Sequence, residues 1–186
     1  MSTERARLQF TTDHVERMVA TGILNEDDRV ELIDGDLVTM SPIGNHHAYC
    51  VNTLNHLLVM TLSTKALISV QNSIQLDLHN LLQPDLAALK ARRDRYRYAP
   101  PRPRDILLVI EVADSTVRDD RMVKMPLYAR FGIGEAWLID LPGQIIEIYT
   151  HPRDGVYRRS KSFRPGEMVQ SVRLPELSIA ANELLL

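Results

Sequence analysis

One cysteine, one tryptophan and three phenylalanines among 186 residues leave this chain short of both thiols and aromatic bulk. The lone cysteine, Cys50, excludes an internal disulfide and any thiolate zinc cage, because each needs at least two. It reads as a small buried hydrophobe, with a reactive thiol as the alternative. Charge of one sign is also missing. The 22 Lys and Arg against 24 Asp and Glu give −2, so no global positive field recommends nucleic acid, and affinity for it must come from local patches. Long apolar runs are absent too: the longest aliphatic one, Ile106 to Ile110, falls far below the roughly 20 residues that span a bilayer. Met1 to Arg7 lead into no apolar core of a secretory signal. The expectation is a cytoplasmic protein with no membrane partner.

What is present is the composition of a globular fold, 45% hydrophobic and 25% charged. The length suits one domain over 1–186, and no linker, repeat or low-complexity segment divides it. Thr12 reads as the N-cap of an amphipathic helix over 12–21 that ends at Gly22. Asp34-Gly35 between two alternating runs predicts a type I′ hairpin with strands near 29–33 and 36–40. Ser41-Pro42 stops the second strand. Ala48, Val51, Leu54, Leu58 and Leu62 then recur at three- and four-residue steps, which predicts a helix over 45–62.

Short strands are expected at 66–70, 74–78 and 84–89, and a polar loop follows. The apolar run from Asp105 to Val112 has the character of a central strand covered on both faces. Residues 119–131 read as a helix opened by Asp119 or Asp120, with Pro126 kinking it or confining its regular part. Strands at 135–140 and 144–149 flank a Leu-Pro-Gly turn, and Arg153 to Glu167 reads as a basic return. Helices embedded among strands predict an α/β fold: one mixed sheet with helices against it.

Asp85 opens a strand directly after a proline, and Glu111 closes an apolar one, so each carboxylate projects at a sheet end. Two such carboxylates on neighbouring strands suit Mg²⁺, which takes oxygen ligands and keeps several waters. A solvated strand end or a capping carboxylate is the alternative for either one. If the strand ends lie in parallel, the two carboxylates should stand within about 4–6 Å in one concave site.

The order of Pro84-Asp85, Glu111 and Lys124 within these elements resembles the PD-(D/E)XK nuclease superfamily, in which a lysine usually sits two positions after the glutamate. Here that position is Ala113, and Lys124 on the following helix is the nearest substitute. More narrowly, the chain resembles the large bacterial family of uncharacterised putative restriction endonucleases. Glu31-Leu-Ile-Asp-Gly, Met40-Ser-Pro, His47, Gln83-Pro-Asp-Leu-Ala, Glu111-Val-Ala-Asp-Ser, Asp120 with Lys124 and Tyr128, and Gly132-Ile-Gly-Glu-Ala-Trp-Leu-Ile-Asp carry the likeness from about Phe10 to the C-terminus.

The resemblance implies a restriction-endonuclease-like fold and Mg²⁺- or Mn²⁺-dependent hydrolysis of phosphodiester bonds, DNA being the first choice of partner. Asp85 and Glu111 would be metal ligands and Lys124 a point charge beside the attacked phosphate. Glu31 would be a ligand or a support, or else a residue paired with Arg29 or solvated. His47 would bond a carboxylate or phosphate, or else cap its helix. A homodimer is compatible with all of this. The rival reading keeps the fold and drops the chemistry, leaving a weak or inactive scaffold that binds nucleic acid or protein.

His46, His47 and His56 invite a zinc reading, which is the weaker alternative because histidines one apart on a helix point about 100° from each other and 47 to 56 is not a one-face spacing. One conspicuous basic segment remains, Lys90 to Arg104. Its Arg92, Arg93, Arg95, Tyr96 and Arg97 read as a loop that pairs with phosphates and stacks on bases, or as a solvated loop that aids solubility. Arg153, Arg158, Arg159, Lys161 and Arg164 form a second basic stretch.

Overall fold

The apolar run at 106–110 lies in the interior of a six-stranded sheet, as burial on both faces requires. In this computed structural model, residues 8–25 and 27–185 are described; the leaderless reading of Met1 to Arg7 concerns residues outside that range. The first elements are α1 (Thr12–Ala20), a hairpin of β1 (Val30–Ile33) and β2 (Asp36–Thr39), and α2 (Asn45–Leu62). Next come β3 (Ala66–Val70), β4 (Ile74–Gln75), β5 (Leu81–Leu82), β6 (Leu86–Lys90) and β7 (Ile106–Ala113). A helical crossover follows, made of α3 (Val117–Asp119), a π turn (Asp120–Lys124) and α4 (Met125–Arg130). β8 (Glu135–Asp140), β9 (Ile145–Arg153), β10 (Val156–Phe163), β11 (Met168–Gln170) and β12 (Ser178–Ala180) complete the order.

The large sheet runs β10-β9-β8-β7-β6-β3, parallel only between β7 and β8, the pair joined by the helical crossover. The expected mixed α/β sheet with helices against it is therefore present. Beside it lie a four-stranded sheet, β2-β1-β5-β4, and a two-stranded one, β11-β12. One face of the large sheet packs Leu108, Ile110 and Val112 against Cys50, Leu54 and Leu58 of α2 and the apolar C-terminal stretch around Leu177 and Leu184. The other face packs Val109 and Ala113 against Met125, Leu127 and Tyr128 of the crossover and Ile74 and Leu82 of the small sheet. Alternation along β7 thus feeds two cores, which is why its sequence is apolar throughout.

Several boundaries differ from the sequence reading. Thr11 caps α1, its hydroxyl accepting from the His14 N–H at 3.4 Å, while Thr12 is buried and bonded to the Gln75 amide at 3.0 Å. The strand expected at 74–78 stops at Gln75. Residues 153–167 are not a return loop, because Val156–Phe163 forms an edge strand whose side chains are largely solvated. The crossover helix starts at Val117, two residues before the expected Asp119. Pro126 does not break it: the π turn, closed by the Met125 N–H on the Asp120 carbonyl, shifts the register just upstream of the residue that has no N–H to give. The Asp34-Gly35 hairpin is as read, with both residues at positive φ, 48° and 82°.

Candidate functional site

β6 and β7 are antiparallel, not parallel, and this is what brings Asp85 to Glu111. Their ladder pairs Leu86 with Ile110, so one step further the start of β6 meets the end of β7. The period of two then puts Asp85 on the same face as Ala87 and Glu111 on the same face as Val109, and Ala87 and Val109 belong to one core. Asp85 reaches across the ladder, its Oδ2 accepting from the Val112 N–H at 2.9 Å. His47 Nε2 stands 3.0 Å from Asp85 Oδ1, which also accepts from the Gln71 amide at 3.1 Å. Burial works to raise the Asp85 carboxyl, yet His47, the Val112 N–H and Gln71 hold it below the ordinary aspartate value.

Lys124 ends the π turn and points into the same site. Its Nζ lies 3.0 Å from Glu31 Oε1, 3.4 Å from Glu111 Oε1 and 3.6 Å from Asp120 Oδ1. Burial alone would push this ammonium down, and the three carboxylates reverse that and hold it above the ordinary lysine value. The Glu31 Oε1 also accepts from the Gln83 N–H at 2.8 Å, and Asp120 Oδ2 from the Thr116 hydroxyl at 2.6 Å. Tyr128, fully buried one turn beyond Lys124, donates to Glu111 Oε1 at 2.5 Å. Glu111 is raised well above the ordinary glutamate value, by burial first, against which Lys124 pulls down and Asp120, Asp85 and Glu31 push further up.

Glu31, His47, Asp85, Glu111, Asp120 and Lys124 line one side of a cavity of about 580 Å³. Glu31, Asp85, Glu111 and Asp120 are 3%, 6%, 2% and 4% exposed and Lys124 9%, so four buried carboxylates face one buried ammonium. Such an excess of negative charge in a shielded pocket suits a cation.

Asp85, Glu111, Lys124, Glu31 and His47 are therefore brought together as the sequence suggested. Asp120 and Tyr128 were not read as site residues, although Asp120, Lys124 and Tyr128 at steps of four already share a helix face. Gln71, from a turn without any motif, left no signal. The basic loop is not at this site. Arg92, Arg93, Arg95, Tyr96 and Arg97 follow the far end of β6, five residues and about 17 Å of strand away from Asp85. Arg92 pairs there with Asp94 at 2.6 Å and lies 4.6 Å from the centre of the Tyr96 ring.

A cleft floored by carboxylates and a lysine, at the strand ends of a mixed α/β sheet, is in keeping with a restriction-endonuclease-like fold. The model of the Uma2 family, described as "Putative restriction endonuclease", matches residues 13–182, and the chain belongs to that family. Among solved structures it is similar to a putative nuclease of the DUF820 group from Anabaena variabilis ATCC 29413, with a TM-score of 0.71 and 15% identity over 88% of this chain and 94% of that one. It also matches the type IIG restriction endonuclease BpuSI at a TM-score of 0.46 and 18% identity, over 80% of this chain and 17% of that one. No curated protein matches the chain.

Proposed function

We propose that the protein is a divalent-metal-dependent endonuclease that hydrolyses phosphodiester bonds, with Asp85 and Glu111 as metal ligands and Lys124 as the catalytic cation. The observation that carries this reading is the meeting of Asp85, Glu111 and the Lys124 ammonium on one buried cavity floor.

The donor set fits Mg²⁺ or Mn²⁺. Carboxylate oxygens are the hard ligands these ions prefer, and the buried charge needs a further cation. Among the described residues no three His, Cys, Asp or Glu side chains gather into a cage, so water and phosphate oxygens would complete the shell, which is the usual way Mg²⁺ is held. When bound, the ion supplies a polarised phosphate and an acidified water.

The chain's own groups prepare for this. Val112, Gln71 and His47 keep Asp85 ionised and fixed in orientation. Tyr128 and Lys124 both approach Oε1 of Glu111, and among the described residues no hydrogen bond occupies its Oε2. Glu31 and Asp120 steady the Lys124 ammonium, a preorganised positive charge for the negative charge that builds on the attacked phosphate. The lysine two positions after the glutamate in related nucleases is thus replaced by one from the crossover helix.

Incubation with DNA and RNA substrates, with and without Mn²⁺ or Mg²⁺, tests this. Cleavage that needs the ion and falls by about 10²-fold or more in Asp85→Asn and Glu111→Gln is expected. Bound metal without cleavage of any substrate would assign the chain to the inactive-scaffold reading.

A further inference from the structure

The cavity and the basic loop stand at opposite ends of β6, about 17 Å of strand apart. Three exposed aspartates, Asp36, Asp114 and Asp119, stand among the residues lining the cavity, with Asp34, which pairs with Arg130, and Arg29 and Lys124 are the Lys or Arg side chains in that lining. A duplex brings about one negative charge for every 1.7 Å of its axis, about twice the density of one strand, so aspartates along this rim oppose a duplex more than a single strand. The volume of about 580 Å³ is that of a pocket for a single small ligand-sized group. The lining also has an aliphatic part, Ile33, Val38, Met40, Ile43 and Val123, beside the carboxylates. One nucleotide fits that division: phosphate toward the floor, base against the aliphatic part.

A second groove, of about 510 Å³, runs beside β3, which is an edge of the large sheet. Arg95, Tyr96, Arg97 and Tyr98 line one part of it, and Asn72 and Ser73 line another. Tyr98 is 82% exposed, and the Arg97 guanidinium lies 5.8 Å from the centre of its ring. An exposed aromatic with arginines around it is the equipment of grooves that hold unpaired bases, where rings stack and cations follow the backbone. Asn72 and Ser73 directly follow Gln71, whose amide bonds Asp85. The groove thus joins the basic loop to the turn after β3, whose Gln71 bonds Asp85.

We propose that the substrate is an unpaired polynucleotide strand, anchored on Arg95, Arg97 and Tyr98 beside β3 and threaded to the acidic cavity one nucleotide at a time. This deepens the nuclease reading and rests on it. The basic loop then has a role at a distance from the chemistry, and the acidic rim acts against duplex.

Fluorescence anisotropy of the wild-type protein in Ca²⁺ with labelled oligonucleotides of about 12 nucleotides, within the range such grooves cover, tests the proposal. The arms are single-stranded DNA, single-stranded RNA and duplex DNA of one sequence. At least tenfold tighter binding of a single strand than of duplex is expected, and the two single-strand arms tell which sugar the groove accepts. Replacing Arg97 and Tyr98 together by Ala should weaken single-strand binding about tenfold and reduce its salt dependence. Cleavage assays with Mn²⁺ should show the same order of substrates. Duplex bound and cut as well as single strands, or single-strand binding unmoved by the double substitution, overturns the proposal and leaves the nuclease reading standing. Metal bound with no strand held or cut overturns both.

Discussion

Lys124 Nζ lies 3.0 Å from Glu31 Oε1, a contact that joins the crossover helix to the first hairpin across the top of β7. It makes Lys124 a structural as well as a chemical residue. Removing the ammonium leaves Glu31, Glu111 and Asp120 buried with no cation between them, and breaking a buried pair in this way costs about 3–5 kcal/mol. Lys124→Met should therefore fold with clearly reduced stability in urea melts without metal. Added Mn²⁺ should restore more of the loss in this variant than it adds to the wild type. Equal stability of the two proteins in EDTA would show that the ammonium does not hold the cluster together.

The two metal-ligand candidates pull stability in opposite directions with pH. Glu111 is raised in the fold, so its contribution is full below the ordinary glutamate value and is lost as pH rises through the higher folded value. Asp85 is lowered, so its contribution is present above the ordinary aspartate value and is lost as pH falls through the folded one. A divalent ion needs both groups ionised. The rise in Tm produced by Mg²⁺ should therefore grow with pH across the interval in which Glu111 gives up its proton, and Glu111→Gln should flatten that growth. Calorimetry at a series of pH values, with and without the ion, measures it.

The parts of the site legible in the sequence are those fixed by local pattern. The helix over 45–62 and the strand over 135–140 coincide with the structure at both ends, because apolar periodicity and a stop residue mark each. Asp85 and Glu111 were legible because a proline and an apolar run set them at strand ends. β10 was not: it lies at the sheet edge, with exposed Arg158, Arg159 and Lys161 in place of a buried face, so its composition is that of a loop. The distance between the basic loop and the site was not legible for a different reason. The loop does connect the strands of Asp85 and Glu111, and only their antiparallel pairing shows that a connection from the end of β6 to the start of β7 lies opposite the start of the first and the end of the second. Glu31 came into reach of Lys124 only through the packing of the first hairpin against the crossover helix, whereas Asp120 stands one turn before Lys124 on that helix.

Cys50 gives a direct probe of α2. The side chain is fully buried, and burial, with the Asp85 charge nearby, pushes its thiol up to about 12. The thiolate that reacts with disulfide reagents is then scarce at neutral pH, and the reagent has no access to it. Native protein should label at the rate of unfolding or local opening, and protein in denaturant should label at once. Fast stoichiometric labelling of the native protein would mean that α2 does not cover this sheet face as described.

His47 separates a positioning role from a merely structural one. Its Nε2 at 3.0 Å from Asp85 Oδ1 is one of three contacts that keep that carboxyl low, the Val112 N–H and the Gln71 amide being the others. In His47→Ala the desolvation of Asp85 remains while its strongest partner is gone, so the carboxyl moves upward. Metal binding competes with protons for Asp85. Mn²⁺ affinity measured by titration should then fall more at mildly acidic pH than at mildly alkaline pH, and His47→Gln, which keeps a donor at the same reach, should recover part of the loss. A variant that only loosened α2 would lower affinity by the same factor at every pH and lower thermal stability with it. Parallel affinity profiles for wild type and His47→Ala would remove His47 from the site.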